Sequence, residues 1–312
     1  MELEVRPLRQ EDLKNADNIV RVAFGTFLGV PEPANFGETV DHVFARWRAD
    51  PNAAFGAEAD GELVGSNFVT RWGSFGFFGP LTVRPDLWDR GIAKLLIEPA
   101  MDLFDKWGVS RAGLFTFAHS PKHLGLYHKF GFWPRFLTPI MLKTVNVNAV
   151  DGWSKFSNVP DAEKKQCLTA CRTITNSIYE GLDLEREIMS VHDQALGDTV
   201  LSWEREKLVG FAVCHCGPGT EAGIDTCLIK FGAVRGDPGT EKRFDKLLTC
   251  CEELAAMHGM TIVMAGVNTA CHNAYQRMIA RGFRTEFQGV LMLKPNEPCF
   301  DRPDSYVMCD LR

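Results

Sequence analysis

The sequence has no apolar run close to the roughly 20 residues needed to span a bilayer. It has no basic surplus either. Its 34 Lys and Arg stand against 40 Asp and Glu, a net charge of −6, and such a field repels phosphate backbones. Neither a membrane-spanning protein nor a nucleic-acid partner is expected. Met1 to Pro7 lack the basic-then-apolar order of an export signal, which points to a soluble, cytoplasmic protein. Cysteine is absent before Cys167, and all ten fall between there and Cys309. Only four tyrosines occur, so any one at a motif position stands out. What remains is ordinary globular material, 45% apolar and 24% charged, and 312 residues suffice for two domains at roughly 100–200 residues each.

In a reducing compartment, ten thiols are expected to be small core residues rather than a bridged framework. Cys214 and Cys216 flank His215 in an apolar run. On a strand the two thiols share one face and the imidazole takes the other, which argues against one joint metal site. Cys167 and Cys171, four apart on a helix, would need Cys271 and His272 to complete a zinc site. No CxxC pair supports that arrangement, and no metal is expected.

The two halves repeat. Asp60 to Gly65, a polar turn opening into Ser66 to Arg71, has a counterpart in Glu204 to Gly210 opening into Phe211 to Cys216, and each reads as a tight hairpin. Val83-Arg84 leads to a helix containing Leu95-Leu96, as Val234-Arg235 leads to Leu247-Leu248. Gly131-Phe132 ends a helix as Gly282-Phe283 does. The separations, 234 − 83 = 151 and 282 − 131 = 151, keep one register between distant anchors.

In the first unit the patterns predict strands at Leu3–Pro7, Ala54–Glu58, Leu63–Arg71, Phe75–Val83, Arg111–Phe117 and Phe132–Leu142. Helices are expected near Glu11–Ala23, Gly37–Arg48, Gly91–Trp107 and Pro121–Phe130. The second unit follows the same order, from a helix at Asp161–Tyr179 to a strand at Phe283–Leu293. Hairpins followed by one helical crossover predict an α+β fold, a mixed and mostly antiparallel sheet flanked by helices, twice over. Val145 to Val159 shows no sustained period and reads as a linker, dividing the chain into 1–147 and 148–312.

Gly79 to Ala93 ends a strand, turns and starts a helix. The amides of a first helical turn lack partners within the helix and sit at its positive end, which makes such a turn an anion cradle. Gly91 and Ala93 would let oxygens approach those amides, and Arg90 and Lys94 would add charge. The plainer reading is a glycine that permits a turn and an alanine that packs.

This loop, the strand after it and Leu126-Tyr127-His128-Lys129-Phe130-Gly131-Phe132 together resemble the GCN5-related N-acetyltransferase superfamily, and the resemblance covers most of both halves. It implies a tandem acetyltransferase that passes the acetyl group of acetyl-coenzyme A to an amine by direct attack. In that family Gln/Arg-x-x-Gly-x-Gly/Ala holds the pyrophosphate. Trp88-Asp89-Arg90-Gly91-Ile92-Ala93 occupies the pattern, with Trp88 replacing Gln or Arg and expected to pack under the loop. Leu81-Thr82-Val83 matches the strand whose free edge pairs with the amides of pantetheine. The family's usual acid falls on Tyr127, which would protonate the departing sulfur, against the alternative of a buried aromatic with a bonded hydroxyl.

Phe75 to Val83 offers no Glu or Asp where relatives often carry a base. His119, at the mouth of the cleft, has a suitable pKa, and the plainer reading is a loop histidine with bulk water as proton acceptor. Ser120 is placed to cap the next helix, while His123 and His128 are expected to face solvent.

In the second unit Lys242 or Arg243 falls near the place of Gly91, Asp237 and Glu241 oppose an anion, and Met278 replaces Tyr127, with Tyr275 nearly one turn earlier. That unit is expected to keep the fold without catalysis, walling the acceptor pocket and covering the first unit's sheet edge. The tail from Asn296 is expected to add a strand or strap. Phe24, Phe27, Phe36, Trp72, Phe75 and Phe77 read either as pocket rim or as core. The acceptor is a small-molecule or peptide amine, and the protein a monomer or homodimer. The rival reading is a non-catalytic acyl-coenzyme A sensor or scaffold serving a protein partner.

Overall fold

A computed structural model describes residues 2–147, 149–236 and 238–312. In chain order the first unit contains β1 (Leu3–Pro7), α1 (Leu13–Leu28), α2 (Phe44–Ala49), β2 (Ala54–Ala59), β3 (Glu62–Trp72), β4 (Phe75–Phe78) and β5 (Thr82–Val83). It continues with α3 (Ile92–Trp107), β6 (Arg111–Thr116), α4 (Pro121–His128) and β7 (Trp133–Thr144). The second contains β8 (Trp153–Lys155), α5 (Asp161–Ile178), α6 (Glu185–Asp193), β9 (Gly197–Glu204), β10 (Lys207–Cys216) and β11 (Thr226–Val234). It closes with α7 (Thr240–Met257), β12 (Ile262–Gly266), α8 (His272–Ala280), β13 (Arg284–Lys294) and β14 (Val307–Cys309). No helix among the described residues is long and apolar enough to cross a membrane.

The expected mixed, mostly antiparallel sheet with flanking helices is present, and the strands of the two units run on as one sheet in the order β1-β2-β3-β4-β6-β13-β7-β12-β11-β10-β9-β8. The units have exchanged their last long strands. β6 pairs with β13 of the second unit (Thr116 opposite Val290), and β7 lies between β13 and β12 (Ile140 opposite Gly266). Edge groups that each unit would otherwise leave to solvent are thereby paired by the other.

Three expectations need correction. The helix from Gly37 is confined to Phe44–Ala49, because Thr39 to Asp41 pair instead with the second unit: Asp41 N–H donates to the Thr220 carbonyl at 2.9 Å and Gly219 N–H to the Thr39 carbonyl at 2.9 Å. The single strand Phe75–Val83 is broken into β4 and β5 at Gly79-Pro80, where Gly79 takes a φ of 145° and proline has no N–H to give a ladder. The stretch read as linker contains β8, held on β9 by ladder bonds and anchored by Trp153 Nε1 donating to Glu253 at 2.5 Å.

The core follows from the pattern of apolar residues. On α3, Ile92, Leu96, Ile97, Ala100 and Phe104 form one buried face, with glycines in the left-handed region at both ends, Gly91 and Gly108. That face packs with Phe78, Tyr127 and Phe132. On the other side of the sheet Trp72, Phe75 and Phe77 meet Phe231 and Phe300 of the second unit, with ring centroids 5.5 Å apart for Trp72–Phe231 and 5.1 Å for Phe75–Phe300. Burying each such ring stabilises by about 2–3 kcal/mol, and here the gain depends on both units being present. The ten thiols are free and nine are buried. Cys167 and Cys171 pack in the core between the units, whereas Cys271 packs beneath α7, so they do not converge.

Candidate active site

β4 and β6 are parallel neighbours only from Phe75–Arg111 to Phe77–Gly113. Beyond that, β5 stays on β3 (Ser66 opposite Thr82) while β6 continues on β13, and the two edges part. Arg84 N–H donates to the Val64 carbonyl at 2.8 Å, so in this antiparallel ladder the neighbouring Gly65–Val83 pair is not hydrogen-bonded. The backbone groups of Val83 therefore point away from β3, into the gap. One of them is engaged: the Trp88 indole N–H donates to the Val83 carbonyl at 2.8 Å. Trp88 thus packs under the loop, half-buried beside Ile92 and Leu87.

The loop then climbs to α3. Asp89, with φ 66°, and Gly91, with φ 81°, both adopt left-handed conformations that turn the chain abruptly. The amides of Arg90, Gly91, Ile92 and Ala93 have no acceptor among the described residues, and a Cβ placed on Gly91 would meet nothing within 4 Å. Open space in front of unpaired amides at a helix start fits a diphosphate. Arg90 and Lys94 are exposed, and Lys122 of α4 ties down the loop through Asp89 at 2.7 Å.

Tyr127 stands where the strands separate. It is buried, its ring centroid 5.9 Å from that of Phe78 at the end of β4, and its hydroxyl is directed to Thr116 at the end of β6. Burial drives its pKa well above the ordinary phenol value, with the Thr116 bond opposing, so the hydroxyl keeps its proton.

The acetyltransferase (GNAT) family model matches residues 22–132, the segment that builds this gap, loop and tyrosine. That segment is matched as a GNAT acetyltransferase domain. No curated protein matches the sequence significantly. Solved structures match at full length: one from Pyrococcus horikoshii (14% identity, 99% of this chain and 95% of that one, TM-score 0.72) and a GCN5-related N-acetyltransferase from Sphaerobacter thermophilus (16%, 95% and 96%, TM-score 0.61). A tandem GNAT protein from the clavulanic acid biosynthesis pathway also matches (16%, 95% and 99%, TM-score 0.56). At these identities the likeness concerns the fold, which is a tandem pair of GNAT units.

Around the GNAT cleft the other candidates separate. His119 is exposed and stacks on Phe27 at 5.9 Å, in a cluster with Phe24, Phe36, Phe117 and His123. Of the six aromatics, Phe24, Phe27 and Phe36 thus stand by the cleft, while Trp72, Phe75 and Phe77 are core. Ser120 caps α4 as expected. His123 is half-buried against Phe27 rather than solvent-facing, and burial lowers its pKa; His128 is exposed.

In the second GNAT unit Met278 occupies the tyrosine's place, fully buried. The loop before α7 is three residues shorter than the repeat spacing implies, so Gly239, with φ 99°, and not Lys242 or Arg243, takes the position of Gly91. Glu241 lies in the first turn of α7, and Asp237 lies outside the described residues. The decisive difference is elsewhere. Beyond its pairing with β12, β11 is met by β14, with Phe231, Gly232 and Ala233 opposite Cys309, Met308 and Val307. At the 151-residue spacing these are the counterparts of Pro80, Leu81 and Thr82, so the tail fills the groove that the first unit leaves open. Tail pairing was legible only as a strand or strap; nothing in the residues named its partner.

Proposed function

We propose that residues 1–147 form the catalytic unit, which binds acetyl-coenzyme A as substrate and passes the acetyl group to an amine, and that residues 148–312 form a GNAT unit without that activity. The observation that carries this reading is the parted strand edge with Tyr127 at its apex. Leu81 to Val83 offer backbone groups to the pantetheine arm, and the loop from Asp89 to Lys94 offers the unpaired amides of Arg90 to Ala93 and the cations Arg90 and Lys94 to the pyrophosphate. A Tyr127 hydroxyl kept protonated by burial suits a proton donor to sulfur. His119, exposed at the cleft, is placed to exchange protons with solvent rather than to act from within.

The test is thermal stability with acetyl-coenzyme A, coenzyme A and ATP, since a ligand of the native state at about 100 times its Kd stabilises by about 2.7 kcal/mol. Stabilisation by coenzyme A species and not ATP, lost in Gly91→Glu, is expected. A wild type that does not respond, or a variant that responds equally, overturns the cofactor site. An acyl-coenzyme A sensor would bind and show no turnover with any amine.

A further inference from the structure

Between the units lies a cavity of about 60 Å³, lined by α2, β3, α6, β10 and β11 and reaching the exposed residues Ala49 and Arg186. It shares a wall with the strand gap: Arg46, which lines it, donates a hydrogen bond to the Gly79 carbonyl, where β4 leaves the sheet. His215 is among its lining residues. With Cys214 and Cys216 turned to the opposite face of β10, the imidazole is the one side chain of that triplet sent into the cavity. It is 2% exposed, and neither ring nitrogen has a hydrogen-bond partner among the described residues. Such a group costs stability unless something arrives to use it. Its Nε2 lies 4.0 Å from Oε1 of Glu187, whose other oxygen is fixed by the Trp72 indole N–H at 2.9 Å.

We infer that His215, with the Glu187 carboxylate beside it, is the general base that the first unit lacks, taking a proton from an acceptor amine whose end group enters this cavity. The inference rests on the proposed acetyl transfer and adds that the second unit completes the active site. The volume admits a few water-sized groups, enough for a CH₂–NH₃⁺ terminus. His215 takes one proton from the ammonium. The freed nitrogen lone pair bonds to the thioester carbonyl carbon, the C–S bond breaks with its electron pair on sulfur, and Tyr127 protonates the sulfur. The surplus proton on the new amide nitrogen restores the phenol through water.

The charged groups that line the cavity with the imidazole are Glu187 and Arg186 from α6, Arg46 from α2 and Asp50 just after it, Arg71 from β3, and Glu221 with Lys230 from the β11 side. Burial lowers the His215 pKa, partly opposed by Glu221 and Glu187, so the ring is neutral with one nitrogen lone pair unused. Glu221 is a poorer base. Burial alone would raise it, but Arg46, at 2.8 Å, and Lys230 hold it well below the usual carboxylate range.

The test uses the full chain, histidine-labelled for nitrogen NMR, with n-butylamine as the probe. In the coenzyme A complex, butylamine should shift the imidazole signal that disappears in His215→Gln. Acetyl transfer to butylamine at pH 7 should fall about 100-fold in His215→Gln, with stabilisation by coenzyme A retained. Glu187→Gln should lose less and move the acidic limb of the pH–rate profile to lower pH, since removing a neighbouring anion lowers the imidazole pKa. An unmoved His215 signal in a protein that coenzyme A does stabilise, or a His215→Gln enzyme with wild-type rate and pH profile, overturns this inference alone. Failure of coenzyme A to stabilise the wild type overturns the acetyl-transfer reading with it.

Discussion

The two units bend the same strand at the same place and finish it differently. In the first, Gly79 interrupts the strand and the edge beyond it stays open; in the second, Lys230 is the unpaired bulge residue and β14 covers the edge beyond it. Backbone amides and carbonyls need partners wherever water is excluded. A unit that gives up a ligand bound along a strand edge must therefore supply a strand in its place. In the second unit the tail takes that place, with Val307 and Met308 buried.

The largest expected contrast comes from matched glycine variants. Gly91→Glu should abolish stabilisation by coenzyme A, whereas Gly239→Glu should leave it intact in the same thermal assay; equal effects would erase the distinction between the units. Next, Tyr127→Phe should lower acetyl transfer about 100-fold without weakening coenzyme A binding, and Met278→Leu should change neither, as steady-state rates and calorimetric titration will show. The same tyrosine bears on pH. Its folded pKa is raised, so its contribution is complete below the ordinary phenol value of about 10 and is lost as pH rises above it. Wild type should lose more stability than Tyr127→Phe above that pH in urea titrations, and parallel curves would show the hydroxyl is not sealed.

Smaller in scale, Met308→Ala should cost roughly 2–5 kcal/mol in urea unfolding, because the side chain is fully buried in the filled groove. A cost near zero would mean that β14 is a loose cover. Trp88→Phe should cost only about 1 kcal/mol, the net worth of the indole bond to the Val83 carbonyl, and a larger loss would mean that its packing under the loop also holds the edge.

Much of this was legible in the residues. The spacing of 151 and the glycines at 131 and 282, both with positive φ, marked the duplication; Ser120 caps α4 and Gly91 precedes α3 as local pattern has it, while Tyr127 was singled out only by the family resemblance. What escaped were choices between partners. Helical pattern from Gly37 lost to pairing with Thr220, and a sequence pattern carries no trace of a competitor 180 residues away in chain terms. The exchange of β7 and β13 was invisible for the same reason, since each strand has the alternation to fit either unit. His215 was named for its flanking cysteines and given no task, because its lack of a partner is a property of the assembled cavity.

The strand exchange also sets a schedule for synthesis. β6 is made before β13, and Thr116 finds its partner only when Val290 has left the ribosome, so the first unit waits until then with an unfinished sheet. Domain-by-domain folding is closed to this chain. A nascent copy that stalls before β13 has the loop before α3 and Tyr127 but not the strand that holds β6 in line, and its edge is available to other chains instead. The order of manufacture thus keeps the cleft incomplete until β13 is made.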